Sequence, residues 1–313
     1  MNNPELSVII PVTERGRYDD IKDLHCEYKR SVESSGKKYE FIYILDGNFP
    51  TVCDKLMELR RNGEELKILK LSKWFGESTA LSVGFDHASG DIILTLPAYH
   101  QIDENEIPKI INALSDNDMI VASRWPRKDG FINRVQSKIF NGMVNFITGF
   151  KFKDLGSGVR VIKRRVIEEV QIYGDQHRFF PLLAIRYGFK VREVNVVQSS
   201  KDTFQRLYSI GIYLRRILDL FSVFFLIKFT KKPLRFFGLS GFFVFALGAL
   251  LSLYLFIERV FMGVALRDRP MVLVALLLVV LGIQLFAIGL IGEIIIFTHA
   301  KELKEYTIEE IIN

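Results

Sequence analysis

At 313 residues, with 49% hydrophobic side chains and a net charge of +6, the chain has room for one large or two modest domains. The positive charge comes without a basic run or recognition motif, which argues against a nucleic-acid partner. Two cysteines, Cys26 and Cys53, form no disulfide framework and no zinc or iron–sulfur spacing.

In chain order, Leu6–Val12 reads as a compact apolar strand closed by a proline, Asp19–Ser34 as a helix, and Tyr39–Leu45 as a second strand ending at Asp46-Gly47-Asn48. A helix over Thr51–Asn62, a strand over Leu66–Leu71, a helix over Ser78–Ala88 and a strand over Asp91–Leu96 follow. Glu106–Leu114 is a further helix and Met119–Arg124 a further strand. A basic loop (Arg124, Arg127, Lys128, Arg134) leads to a helix at about 136–148. Gly156 and Gly158 interrupt the pattern before a helix over Arg165–Val170 and a late strand over Lys190–Val197. Strands alternating with helices of about a dozen residues predict an α/β fold with a mainly parallel sheet. Its ligands should lie outside the carboxyl ends of the strands, where Asp46 and Pro97–Gln101 fall.

Beyond Leu207 the pattern changes. Leu207, Ile210, Tyr213, Leu214, Ile217, Leu218 and Phe221 recur at helical spacing, with Arg215 and Arg216 between them. This predicts an amphipathic helix lying in a membrane interface or packed on the first domain. Phe236–Ile257 and Met271–Gly292 carry no charge, and each makes a helix of roughly 33 Å, enough to cross a hydrocarbon core of about 30 Å. Lys228, Lys231, Lys232, Arg235, Lys301 and Lys304 flank the two runs, against Arg259, Arg267 and Arg269 between them. That bias puts both termini inside, on an anionic leaflet. No signal peptide is visible at the start. The expected division is a cytoplasmic domain over 1–205, interfacial helices over 206–235, a transmembrane hairpin over 236–298 and a tail over 299–313, in a multi-pass inner-membrane protein.

Several motifs in one order resemble the polyprenyl-phosphate glycosyltransferases of glycosyltransferase family two, the dolichol-phosphate mannose synthase type. They are Ser7–Val12, Ser72-Lys73-Trp74-Phe75-Gly76, Ala80–Asp91, Asp154-Leu155-Gly156-Ser157-Gly158-Val159-Arg160, His177-Arg178-Phe179-Phe180-Pro181, Lys232–Gly238 and Gly289–Glu293. The resemblance implies a GT-A-type, Rossmann-like nucleotide-sugar domain with interfacial helices and two C-terminal transmembrane helices. It also implies transfer of a sugar from a nucleotide donor to polyprenyl phosphate, and a homo-oligomer formed through the membrane helices.

The same resemblance places Pro11, Glu14, Asp46, Lys73, Gln101 and Arg124 around the nucleotide sugar, and gives Asp154, His177 and Arg178 the chemistry. Lys201 and Arg206 stand where the family faces the acceptor phosphate, although Phe204 and Leu207 replace its Gly and Lys there. Magnesium or manganese is expected for the family, held by an Asp-x-Asp whose positions are Pro97 and Tyr99 in this chain. Proline offers no side-chain donor atom and a neutral phenol is a poor ligand for a hard ion, so no metal is assigned.

Arg124, Arg127, Lys128 and Arg134 could neutralise a diphosphate instead. Asp103, Glu104 and Glu106 read as the charged first turn of a helix. Structural alternatives stand beside these roles: an Asx-turn for Asp46, a solvated loop for Glu14, a turn for Asp154 and surface charge for His177 and Arg178. Two functions follow, a metal-poor transferase or a pseudo-enzyme that binds without turnover. A transporter is disfavoured by two spans and no internal charged pathway.

Overall fold

The computed structural model describes residues 4–13, 18–127, 142, 144, 145, 152–170, 172, 176–202, 233–263, 265 and 269–299. These fall into two compact units, one within Met1–Val223 and one within Phe224–Glu305. The expected interfacial helix lies outside the described residues, as does most of the helix at 136–148.

The first unit is built on a sheet of seven strands: β1 (Leu6–Thr13), β2 (Tyr39–Asp46), β3 (Leu66–Leu71), β4 (Ile92–Thr95), β5 (Met119–Arg124), β6 (Arg160–Lys163) and β7 (Val191–Val196). Their order is β3-β2-β1-β4-β6-β5-β7. All neighbours are parallel except β6, which runs antiparallel to both β4 and β5. Among the described residues, the helices of this unit with defined bounds are α1 (Ile21–Glu33), α2 (Pro50–Arg61), α3 (Glu77–His87), α4 (Ile107–Asn112), α5 (Arg164–Glu169) and α6 (Phe180–Arg186).

Local chemistry explains these elements. Strand β1 is buried along nearly its whole length, as a central strand covered on both faces must be, and its sequence is accordingly an unbroken apolar run. Pro11 is tolerated there because the β4 ladder has ended: Leu96 N–H donates to the Ile9 carbonyl, and the last β1–β4 pair is Ile9 with Thr95. Two residues on, the missing N–H of Pro11 faces that same edge beyond the ladder. In α1 the buried residues Ile21, Leu24, His25, Tyr28 and Val32 fall at helical spacing. Asp20 caps the helix, accepting from Lys22 N–H at 2.9 Å. Gly76, at φ +105°, makes the turn into α3 in a conformation that side chains rarely adopt.

The second unit is an antiparallel pair, α7 (Pro233–Met262) and α8 (Pro270–His299). At 30 residues each, they are roughly 45 Å long. Their apolar side chains are largely exposed, Phe243, Leu253, Leu273 and Leu277 among them. Such a surface is unfavourable in water at about 25 cal/mol per Å², and suits hydrocarbon instead. Both helices are long and apolar enough to cross a membrane.

Small residues set their separation. A Cβ on Gly241 would sit 2.7 Å from the Gly282 carbonyl, and one on Gly282 2.5 Å from Phe245 N. Backbones this close are held by van der Waals packing rather than by a hydrophobic drive. Gly282→Leu is therefore expected to cost about 1–3 kcal/mol of hairpin stability, read as a lower melting temperature in detergent. An unchanged melting curve would contradict the packing described.

Candidate active site

The carboxyl ends of β2, β1 and β4 lie side by side in the sheet, the edge at which parallel sheets take ligands in a crevice, and the loop after β4 continues from it. Tyr28, buried in α1, directs its hydroxyl at the main-chain carbonyls of Pro97 (3.2 Å) and Tyr99 (2.9 Å). Burial pushes this phenol well above its ordinary pKa, so it stays a donor. Gln101 then links the loop to the next one. Its Nε2 donates to the Tyr99 hydroxyl at 2.7 Å, and its Oε1 accepts from Gly158 N–H at 2.8 Å and Ser157 Oγ at 3.2 Å. Thr95 Oγ1 donates to the Gly158 carbonyl at 2.8 Å. The substituted motif is thus fixed through its backbone by Tyr28, with the Tyr99 hydroxyl adding a side-chain bond to Gln101.

Those side chains do not fit a divalent cation. Among the described residues there is also no group of three or more His, Cys, Asp or Glu placed to hold a metal. His100 is occupied elsewhere: Nδ1 lies 2.8 Å from Asp19 Oδ2 and Nε2 2.7 Å from Glu27 Oε2. Lys201 bonds the other oxygen of Glu27. With Asp20 and Asp23 these residues line a cavity of about 280 Å³.

Asp154 lies on the loop before β6 and is 1% exposed. Arg124, at the end of β5, grips it with a fork: Nε donates to Oδ2 at 2.7 Å and a terminal nitrogen to Oδ1 at 3.0 Å. Arg127 adds a longer contact of 3.7 Å. Burial by itself would raise the carboxyl's pKa, but the Arg124 charge and fork, then Arg127, hold it below the usual carboxylate range. Glu193 in β7 braces the loop from behind, accepting from the main-chain N–H of Lys153 and Asp154 at 3.0 Å.

The following glycines are not required by the packing. A Cβ at Gly156 would lie 3.5 Å from Asp154 Oδ1 and one at Gly158 3.8 Å from Gln101 Oε1, ordinary contacts at unexceptional φ.

His177 sits in a 3-10 turn (Gln176–Phe179) against the start of α3. Its main-chain N–H donates to Ser78 Oγ at 3.0 Å, Nδ1 lies 3.2 Å from the same oxygen, and Nε2 lies 3.2 Å from Glu77 Oε2. Arg178 follows it, partly buried.

Other expected site residues have definite places. Asp46 is fully buried, and its two oxygens accept from Phe75 N–H (2.7 Å) and Gly76 N–H (2.9 Å). It therefore first shapes the turn that starts α3. Lys73 on that turn holds its ammonium 5.3 Å from the Phe75 ring centroid. Pro11 is buried in β1. Glu14 and Arg206 lie outside the described residues, as do Lys128 and Arg134.

Two of the expected cations have carboxylate partners. Arg124 forks onto Asp154, and Lys201 bonds Glu27 in a cavity whose other walls are mostly carboxylates.

One residue carried no expectation at all. Arg160, the last of the Asp154–Arg160 motif, is 3% exposed, and its Nε has no hydrogen-bond partner.

This arrangement can be set beside known proteins. The family model for Glycosyl transferase family 2 matches residues 7–171, and that for the GtrB C-terminal hairpin matches 232–296. The chain is 29% identical to a dodecaprenyl-phosphate galacturonate synthase of Rhizobium johnstonii, over 95% of this chain and 89% of that one. It is 26% identical to an undecaprenyl-phosphate 4-deoxy-4-formamido-L-arabinose transferase of Edwardsiella ictaluri, over 98% and 94%. In fold it resembles glucosyl-3-phosphoglycerate synthase from Mycobacterium tuberculosis, with a TM-score of 0.51 at 12% identity, over 72% and 80% of the two chains. Since the first of these family models covers more than half of the chain, the chain belongs to glycosyltransferase family 2.

Proposed function

We propose that this chain moves a sugar from a nucleotide-sugar donor to polyprenyl phosphate at a membrane surface, without a divalent ion at positions 97 and 99. The observation that carries the reading is the match to two polyprenyl-phosphate sugar transferases over nearly the whole chain, hairpin included. The crevice agrees with it. A polyprenyl phosphate is already an anionic nucleophile at neutral pH, so no general base is demanded of the protein. What remains is to hold two anions together and to stabilise the departing nucleotide diphosphate.

The residues divide those tasks. Asp154 and Arg124 lock the loop 154–158 against β5, and Gln101 ties its far end to the substituted motif. The absence of side chains at Gly156 and Gly158 lets the main chain approach a ligand. Arg178 supplies positive charge and His177 an imidazole beside α3, a suitable place for the acceptor phosphate. Lys73, Asp46 and Pro11 border the side where the nucleotide would lie. The basic residues flanking the hairpin favour a catalytic unit and both termini on the cytoplasmic side of the inner membrane.

The substituted motif favours one other reading, a nucleotide-binding scaffold without turnover. The test is to offer the purified protein a panel of labelled nucleotide sugars with polyprenyl phosphate and to isolate labelled lipid. Transfer from at least one donor is expected. A folded protein that binds nucleotide yet transfers nothing across the panel would establish the scaffold.

A further inference from the structure

Arg160 begins β6, opposite Thr95 of β4 on one side and Val121 of β5 on the other. It is therefore two residues from the level of Pro97, beneath the substituted motif. Its side chain is 3% exposed, and its Nε is enclosed with no partner. The charges that reach it are Glu77 at the start of α3, Arg178 in the 3-10 turn and Asp154 in the loop before β6. None of them makes an ion pair or hydrogen bond with it. Burial lowers its pKa to about 10, which still leaves it cationic at neutral pH.

A buried guanidinium without partners is costly, since both the charge and its N–H donors have been taken out of water. Structural arginines elsewhere in this unit avoid the cost. Arg124 holds Asp154, and Arg164 donates to the carbonyls of Ala88 and Gly90. Arg160 is not spent on the fold in this way. Of the carboxylates near it, Asp154 is held by the Arg124 fork, and Glu77 has the His177 imidazole 3.2 Å from its Oε2. Arg178 adds a second cation near Arg160. A planar guanidinium fork whose Nε has no partner suits tetrahedral oxyanions.

We propose that Arg160 is the phosphoryl-oxygen anchor of this crevice, a fixed positive charge that takes oxygens of a bound diphosphate or phosphate beneath Pro97 and Tyr99. The inference rests on reading the crevice as a phosphate-handling site. It adds the residue that supplies charge where the motif supplies no metal ligand.

The experiment is thermal unfolding of the full-length protein in detergent with excess chelator. Inorganic pyrophosphate would be titrated in one arm and a short-chain prenyl phosphate in the other, for the wild type, Arg160→Met and Arg160→Lys. The wild type is expected to melt higher as anion is added. Arg160→Met should bind at least about tenfold more weakly while melting, without ligand, no lower than the wild type, because an unpaired buried charge has been removed. Arg160→Lys should respond weakly. A response chiefly to pyrophosphate assigns the anchor to the leaving diphosphate, and one chiefly to prenyl phosphate assigns it to the acceptor.

Either arm supports the proposal. A wild type insensitive to both anions overturns it, as does an Arg160→Met protein that responds like the wild type or melts well below it. If Arg160→Met fails to fold, that too marks a structural arginine, and a folded Arg160→Lys with wild-type affinity overturns the proposal independently. Anion binding through Arg160 without sugar transfer would retire the transferase reading alone. Full transfer by Arg160→Met would retire the anchor alone.

Discussion

Asp154→Asn is expected to destabilise the first unit by about 3–5 kcal/mol, the cost of breaking a buried ion pair from one side. The amide keeps the shape but not the charge, and Arg124, 8% exposed, loses its closest counter-ion and keeps the longer 3.8 Å contact to Asp202. Urea unfolding would measure the loss. The double variant Arg124→Met with Asp154→Asn should recover much of it, giving a coupling energy that two independent sites would not show. Transfer should fall by about a hundredfold or more in Asp154→Asn, because the loop 154–158 loses its anchor on β5.

The pair also fixes a pH dependence. The folded carboxyl has its pKa below the usual range, so the unfolded chain binds the proton more readily. The stabilisation is complete above the unfolded value of about 3.9 and is lost as pH falls through the lower folded value. Stability measured from pH 7 downward should show this acid limb in the wild type, and Asp154→Asn should lack it.

The second large effect is a gain. Pro97→Asp combined with Tyr99→Asp should create a divalent-ion site where the present side chains offer none. The structural reason is that Tyr28 holds this loop by the main-chain carbonyls of residues 97 and 99, so the new carboxylates would project from an unchanged backbone. Gln101 Nε2, now bonded to the Tyr99 hydroxyl, can donate to a carboxylate at the same position. Manganese titration followed by electron paramagnetic resonance should give a dissociation constant of about 1 mM or tighter, with no binding to the wild-type loop. A folded double variant that binds no manganese would show that the crevice lacks more than two ligands.

Much of this architecture was legible in the residues, for a physical reason. Parallel strands buried on both faces must be apolar almost throughout, so β1, β2 and β5 stand out as short runs closed by turns. The two membrane-length helices are equally plain, because no soluble core needs uncharged runs of that length. Strand β6 was not legible. Its four residues, Arg-Val-Ile-Lys, hold only two apolar side chains between charges, and what makes them a strand is pairing with β4 and β5, far away in sequence. Helix α6 was likewise hidden inside a signature that had been read for its charges.

The site was legible as a list and much less so as a geometry. Gln101 does bond the loop that Asp154 begins, while His177 packs against the start of α3. A sequence cannot show that Arg124 finds its counter-ion thirty residues on, that Lys201 finds Glu27 across the sheet, or that Asp46 has both oxygens turned to main-chain amides. Arg160 is the sharpest case: an arginine at the end of a motif looks like any exposed cation until its burial and its lack of partners are known.

The central claim is that fixed positive charge, rather than a metal held at positions 97 and 99, meets the departing diphosphate. Its most direct test is the initial rate of sugar transfer to polyprenyl phosphate before and after exhaustive chelation. The rates should agree to within about twofold, since no ligand set exists there for an ion to fill. A rate abolished by chelation and restored by manganese would contradict the claim.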